Sequence, residues 1–234
     1  NFSAQIKYTE YGIPHINAKN LAGAGFGYGY AMARDNLCAV DEKMVTLAGE
    51  RSLTMDPDGK YLDLFAGGEV INYQSDAAYK YILSDETVKY TKNGASKDVR
   101  DLVAGYVSGF NKHIAAKALD GEDCRSQKWF RPITEDDIWR RIAQVPLLET
   151  SAGVFREIIN ATPPNQQANL TKIKLANLPK DQISHGASNA MAFGKEGVEN
   201  GVGGLSFANP HYAWHGTERL HVFHMKVSGK IDVF

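Results

Sequence analysis

No stretch of this 234-residue chain approaches the ~18–20 consecutive apolar residues of a membrane-crossing helix, which excludes such a span by length alone. Net charge is nearly absent: 26 Lys and Arg stand against 27 Asp and Glu, a formal charge of -1, with no basic stripe for nucleic acid or an anionic membrane. Cysteine is down to two, Cys38 and Cys124, too far apart for a local metal knuckle. Cysteine arithmetic leaves two inert core thiols and one long-range disulfide equally open. The opening Asn1-Phe2-Ser3 has neither the basic nor the apolar segment of a secretion signal and reads as a chain already trimmed. Internal repeats and low-complexity tracts are missing as well. What is present is 43% hydrophobic residues, enough to bury a sizeable core in one or two domains.

Periodicity divides the chain. Residues 4–18 alternate like strands up to a turn at Ile13-Pro14, and 20–51 read as a long helix. Gly23, Gly25, Gly27 and Gly29 are unusual inside it. A phosphate cradle would need a strand immediately before them and the lysine of G-x-x-x-x-G-K-[ST]; both are missing, and close helix packing by small residues is the better account. Val99, Leu102, Val103, Tyr106, Phe110 and Ile114 recur at i, i+3, i+4, i+7 spacing and predict an amphipathic helix over 98–114. Thr134, with Asp137 three residues on, predicts a capped helix start before Ile138, Trp139, Ile142 and Val145. Pro146 is expected to kink or interrupt that helix, turning Leu147, Leu148, Thr150 and Phe155 toward a pocket. After Pro163-Pro164, residues 165–187 are polar with scattered lysines, the composition of a linker or a plain surface loop.

The candidate chemistry lies beyond that linker. Ser188-Asn189-Ala190-Met191-Ala192-Phe193 reads as a strand, Lys195 to Gly203 as a turn, and Leu205-Ser206-Phe207-Ala208 as a returning strand, a hairpin that would bring Asn209, Pro210 and His211 back toward Ser188. A serine hydroxyl needs a base to become a nucleophile. An α-amino group titrating near ~8 is one, available at Ser188 only if the preceding peptide bond is cut. Spacing alone fits an ordinary strand serine and turn histidine as well. Five of the seven histidines, His185, His211, His215, His221 and His224, crowd into one stretch and raise a metal site. His221 and His224 are three apart on a strand and project to opposite faces, one core and one surface; His211 and His215 are bracketed by Pro210 and Gly216 with no cysteine nearby. Neither pair makes a catalytic zinc site. Glu149, within Leu147-Leu148-Glu149-Thr150, is a carboxylate in apolar surroundings that calls for a partner.

These residues also form a recognisable set. Ser188-Asn189-Ala190, then Asn209-Pro210-His211 with Trp214 and Arg219, resembles the start of the β-subunit of penicillin acylase-type N-terminal-nucleophile hydrolases, acyl-homoserine lactone acylases above all. Tyr11-Gly12-Ile13-Pro14-His15-Ile16, Gly27-Tyr28-Gly29-Tyr30-Ala31-Met32-Ala33-Arg34-Asp35-Asn36 and Gly49-Glu50-Arg51 resemble the α-subunit opening of the same family. The likeness is strongest over 8–51, 102–155 and 188–234, and departs at Ala187, where glycine is frequent.

The resemblance implies an α+β chain of the αββα sandwich type, divided into a mainly helical α-subunit region (1–164), a spacer excised on maturation (165–187) and the first strands of a truncated β-subunit (188–234). It implies autoproteolysis between Ala187 and Ser188, Ser188 as nucleophile with His211 supporting the amine, and an acyl pocket from Leu147, Leu148, Tyr212 and Trp214. It implies export to the periplasm or medium, and with it a Cys38–Cys124 disulfide. No cofactor is implied, apart from calcium, which penicillin G acylases hold through an α-subunit glutamate near the segment of Glu149. The implied partners are a small N-acyl substrate and the rest of the β-subunit in an αβ heterodimer, with neither nucleic acid nor membrane. The implied reaction is hydrolysis of N-acyl amides such as N-acyl homoserine lactones, that is, quorum quenching by a self-activating zymogen. Penicillin or cephalosporin acylase activity on β-lactam amides and a non-catalytic helical module are the alternatives. Oxyanion-hole donors are expected beyond Phe234, so these 234 residues alone are expected to be inactive.

Overall fold

Alternation at the front of the chain becomes a hairpin of β1 (Ala4–Tyr8) and β2 (Pro14–Ala18), in a computed structural model that describes residues 2–116, 124–150, 152–159, 188–199, 201–210 and 216–234. The turn lies at Thr9–Ile13, where the Thr9 amide donates to the Ile13 carbonyl (3.1 Å), and Pro14 opens the second strand, a position where no ladder donor is missed. The chain forms two compact units, residues 1–169 with 221–234, and residues 170–220.

In the first unit β2 continues into a four-stranded sheet, β1-β2-β7-β8, with β7 (His224–Val227) parallel to β2 and β8 (Ile231–Val233) antiparallel to β7. Period-two alternation gives the sheet two unlike faces. Ile16, Ala18, Met225 and Val227 are buried on one face, with Leu21 and Ala24 of the first helix. Lys7, His15, His224 and, nearer the ends, Gln5, Asn17, Lys226 and Asp232 occupy the other.

That first helix, α1 (Leu21–Leu47), is capped by the Asn20 carboxamide, which accepts from the Gly23 amide at 2.8 Å. Gly25 and Gly29 have the packing role expected of them, against α5 (Lys97–Ala115), while Gly27 faces Ala4 and Ile16 of the hairpin. A Cβ on Gly25 would stand 2.0 Å from the Leu102 carbonyl oxygen, and one on Gly29 2.0 Å from that of Tyr106; reciprocally, Gly105 meets Ala22 (2.0 Å) and Gly109 meets Phe26 (1.9 Å). Four glycines thus let two helix backbones touch. Cys38 and Cys124 are disulfide-bonded (Cα–Cα 5.7 Å) and lie with Ala33, Leu37, Met44, Phe110 and Ile133 in one apolar cluster.

The helix stops short of residue 51 because Gly49 adopts a left-handed φ of +65°. Gly49-Glu50-Arg51 then leads into α2 (Arg51–Thr54), and buried Arg51 gathers the neighbourhood. Its Nε donates to Asn72 (2.7 Å), its Nη1 to Glu42 and Thr46 (both 2.9 Å), and the guanidinium lies 3.7 Å from the Tyr61 ring centroid. Asp76 accepts from the Arg51 and Ser52 amides. Glu42 and Thr46 belong to α1, Tyr61 to β3 (Lys60–Asp63), which pairs with β4 (Gly68–Ile71), and Asn72 and Asp76 to α3 (Asn72–Ile82), which precedes α4 (Asp85–Gly94).

Thr134 and Asp137 start α6 (Glu135–Thr150) as expected: the Asp137 amide donates to Thr134 Oγ1 (3.2 Å) and the Thr134 amide to Asp137 Oδ2 (2.7 Å). Arg131 reaches both Asp137 oxygens (2.7 and 2.8 Å), and its amide donates to buried Asp41 on α1 (3.0 Å). Burial raises the Asp137 carboxyl, but the Arg131 and Thr134 hydrogen bonds outweigh it and hold the group below the usual range. At Asp41 burial wins and pushes the carboxyl up to about 6. Pro146 does not interrupt α6, which continues to Thr150 before α7 (Ala152–Ile159). One lost N–H is a local cost, and the next residue, Leu147, packs against the core of Leu47, Phe65, Tyr79 and Phe155. Phe155 is fully buried there, 4.3 Å from the Phe65 ring centroid, a core residue and not the pocket wall expected from a broken helix.

Candidate functional site

The second unit carries the nucleophile candidate on a hairpin. β5 (Ser188–Phe193) and β6 (Leu205–Pro210) pair antiparallel, joined through a 3-10 turn at Lys195–Gly197 and glycines at 201 and 203 with left-handed φ. The register sets Ser188 opposite Pro210, Asn189 opposite Asn209 and Met191 opposite Phe207. Directly opposed residues share a face. One face is therefore Ser188, Ala190 and Ala192 with Ser206, Ala208 and Pro210, all small or compact. The other is Asn189, Met191 and Phe193 with Leu205, Phe207 and Asn209, largely apolar. The serine stands at the end of a shallow, small-residue lane, exposed, and nothing among the described residues hydrogen-bonds its hydroxyl.

Several expected site residues lie outside the described residues: Ala187, His211, Tyr212 and Trp214. Leu148 and Glu149 are within α6, but their side chains are outside as well, which leaves the calcium expectation at Glu149 without a described geometry. Leu147 is partly buried against the core cluster, in a different unit from Ser188. Cys38 and Cys124 are joined.

Other side-chain constellations lie in the first unit. His221 Nε2 meets the Asp35 carboxylate at 3.0 Å, and its ring stacks over Tyr28, whose hydroxyl burial pushes up to about 12. Its Nδ1 is buried without a partner among the described residues and out of reach of a substrate. His113 is buried edge-on to Tyr30, both ring nitrogens unpaired among the described residues, and burial lowers its basicity. A cleft of about 680 Å³ beside Arg131 and Arg140 has mostly polar and charged walls whose arginines are already bonded to Asp137 and Asp85, with only Ala48, Leu83 and Pro132 as apolar lining. Among the described residues no three His, Cys, Asp or Glu converge on one point.

Sequence reasoning anticipated the hairpin because its alternation and glycine turn are local signals. It missed the Arg51 cluster and the contact between His15 and His224, which come together only through tertiary pairing.

Comparison with known proteins supplies the family. The penicillin amidase model matches residues 3–234. The acyl-homoserine lactone acylase PvdQ of Pseudomonas syringae pv. syringae (strain B728a) is 35% identical over 242 residues, covering 98% of this chain and 30% of that protein. The aculeacin-A acylase of Actinoplanes utahensis is 32% identical, covering 99% of this chain and again 30% of the relative. This chain thus spans about 30% of the length of the curated relatives it matches. Among solved structures, the thermostable penicillin G acylase of Alcaligenes faecalis shares 21% identity at a TM-score of 0.48, over 62% of this chain and 73% of that one. With a family model spanning all but the first two residues, the chain belongs to the penicillin amidase family.

Proposed function

We propose that this chain is the leading part of an N-acyl amide hydrolase that activates itself by cleavage between Ala187 and Ser188. The observation carrying the reading is the cross-strand register: Ser188 opposite Pro210, one residue before His211. In maturation, Ser188 Oγ attacks the Ala187 carbonyl carbon, the C–N bond breaks as the ester forms, and water hydrolyses the ester. The products are a carboxylate at Ala187 and a free α-amine at Ser188. In turnover that amine takes the hydroxyl proton while Oγ attacks the substrate amide carbon. The tetrahedral oxyanion collapses, the amine product leaves with a proton, and water releases the acyl group as a carboxylic acid. Two aligned donors are needed for the oxyanion, each worth a factor of about 10²–10³.

The small-residue lane of Ala190, Ala192 and Ala208 supports an extended acyl group lying beside the serine, and Tyr212 and Trp214 are the pocket candidates within the same unit. His211 supports the α-amine. The substrate class we favour is N-acyl homoserine lactones, after the relatives named for that activity; their names share only the acylase function with that of the aculeacin-A acylase. The αββα sandwich, the αβ heterodimer with the remaining β-subunit and a periplasmic or secreted location belong to this same reading.

Ser188→Ala in the full-length precursor tests it. The wild type should yield a piece beginning Ser188-Asn189-Ala190 by N-terminal sequencing and release acid from an N-acyl homoserine lactone. The variant should stay one chain and release none. Cleavage of the variant at the wild-type rate would remove Ser188 as the nucleophile, and turnover of a phenylacetyl amide in preference to every acyl-homoserine lactone would move the substrate to the penicillin type.

A further inference from the structure

The polar face of the four-stranded sheet brings two imidazoles together that are 209 residues apart: His15 Nδ1 and His224 Nδ1 are separated by 3.2 Å, one strand across on the parallel pair β2–β7. His224 Nε2 in turn meets Asp232 Oδ1 at 2.8 Å, and Lys226 holds the other oxygen of that carboxylate at 2.6 Å. A carboxylate only accepts, so the proton of neutral His224 resides on Nε2 and its Nδ1 offers a lone pair. His15 is then the donor of the 3.2 Å contact, and a proton shift from its Nδ1 to Nε2 through solvent would present a second lone pair at the same point.

Two nitrogens 3.2 Å apart are also at the separation imposed by a tetrahedral cation. With Zn–N bonds of about 2.05 Å, that distance corresponds to an N–Zn–N angle of about 100°. The His224–Asp232 bond has the outer-shell form found around metal-bound histidines, a carboxylate fixing the tautomer and the ring from behind. Both imidazoles are half-buried, and Lys7, which completes the row across from His15, is exposed, so its flexible stem can carry the ammonium away. Phe234 flanks both rings (centroids 6.3 Å from each) and walls one side.

From this arrangement we infer that His15 and His224 form a two-imidazole site for a borderline divalent transition cation such as Zn²⁺, Cu²⁺ or Ni²⁺, completed by water, with Asp232 as the positioning residue behind His224. Imidazole selects these ions over Mg²⁺ or Ca²⁺, which prefer oxygen. The bound cation bridges β2 to β7 and stabilises the folded state by an amount that rises with the logarithm of its free concentration above Kd.

The test is calorimetric titration of the 234-residue chain with Zn²⁺ alone, with thermal unfolding in parallel, for the wild type, His15→Gln, His224→Gln and Asp232→Asn. Glutamine keeps polarity and bulk but removes the imidazole donor, and circular dichroism checks that each variant is folded. The expected result is a binding event lost in both glutamine variants, weakened about 10–100-fold in Asp232→Asn, undisturbed by excess Mg²⁺, and accompanied by a Zn²⁺-dependent rise in Tm only where both histidines are present. Cu²⁺ bound to the wild type should show hyperfine coupling to two imidazole nitrogens. Zn²⁺ binding of equal affinity and stoichiometry in folded His15→Gln, or no binding to the wild type, overturns the site.

Discussion

Gly109→Ala sets two effects of opposite sign against each other, and the structure decides between them. Helix propensity favours alanine by ~1 kcal/mol at a helix interior. The new Cβ, however, would lie 1.9 Å from the Phe26 carbonyl oxygen and 2.7 Å from its carbonyl carbon. That oxygen belongs to the hydrogen-bond ladder of α1 and cannot swing aside, so the helices must part by about 1–1.5 Å to restore ordinary contact. Because α1 and α5 are stiff rods, parting them at Gly109 also loosens the close approaches at Gly25, Gly29 and Gly105. Overpacking of this kind costs about 1–3 kcal/mol or more. Because the clash is with backbone, the upper end of that cost applies, and after the propensity gain the expected net loss is about 2 kcal/mol, a fall in Tm of roughly 4–8 °C for a chain of this size. Gly94→Ala is the control: it ends α4, has nothing within 4 Å of the new Cβ, and should be neutral or slightly stabilising. Denaturant and thermal unfolding of the two variants make the comparison. Equal or greater stability of Gly109→Ala relative to Gly94→Ala would refute the claim that backbone contact holds these helices together. Adding Gly105→Ala to Gly109→Ala should cost less than the sum, since the first substitution has already opened the interface.

Reduction of the Cys38–Cys124 bond, which closes a loop of 86 residues, should destabilise the chain by at most about 4–5 kcal/mol in the chain-entropy account; two alkylatable thiols in the unreduced protein by intact-mass analysis would refute the bond. Asp41, pushed up to about 6 by burial, should make the fold less stable as pH rises from about 4 to about 6, because the folded group resists ionising where the unfolded one does not. Asp41→Asn should therefore gain about 2–3 kcal/mol over wild type at pH 8 compared with pH 4, the size of a roughly two-unit shift, while the pH-independent cost of the buried amide cancels from that difference; a pH-independent difference in urea midpoints would count against it. His113 has the opposite dependence. Its lowered basicity gives stability that is full above its ordinary value near 6.5 and lost on acidification, so His113→Phe should flatten the acid limb of the stability profile.

Local signals carried much of the fold into the sequence. The i, i+3, i+4 apolar spacing from Val99 to Ile114 matches α5, the Thr134–Asp137 box is bonded as a box, and the glycines at 23, 25 and 29 mark close approach to backbone or cap. The register at Ser188 follows from alternation on both sides of a glycine-rich turn. What was illegible is non-local. Pro146 reads as a break because a proline removes one bond, yet the packing of Leu147 and Phe155 against Phe65 and Tyr79 cannot be seen from neighbours in sequence. The disulfide partners were open by arithmetic and came from family likeness. His15 and His224 carry no shared spacing at all; only the parallel pairing of β2 with β7 makes them neighbours.

That pairing also dictates an order of events during synthesis. The β1–β2 hairpin and α1 emerge early and can form from local contacts, but one edge of β2 has no partner until β7 leaves the ribosome. With 209 residues between His15 and His224 and about 5–20 residues added per second, the edge stays open for roughly 10–40 s. Helices formed from near neighbours therefore precede the sheet, whose closure is the late, high-contact-order step. A chain stopped between Ala115 and His224 would keep its glycine-packed helices and still display a bare strand edge, the template on which nascent chains pair with one another.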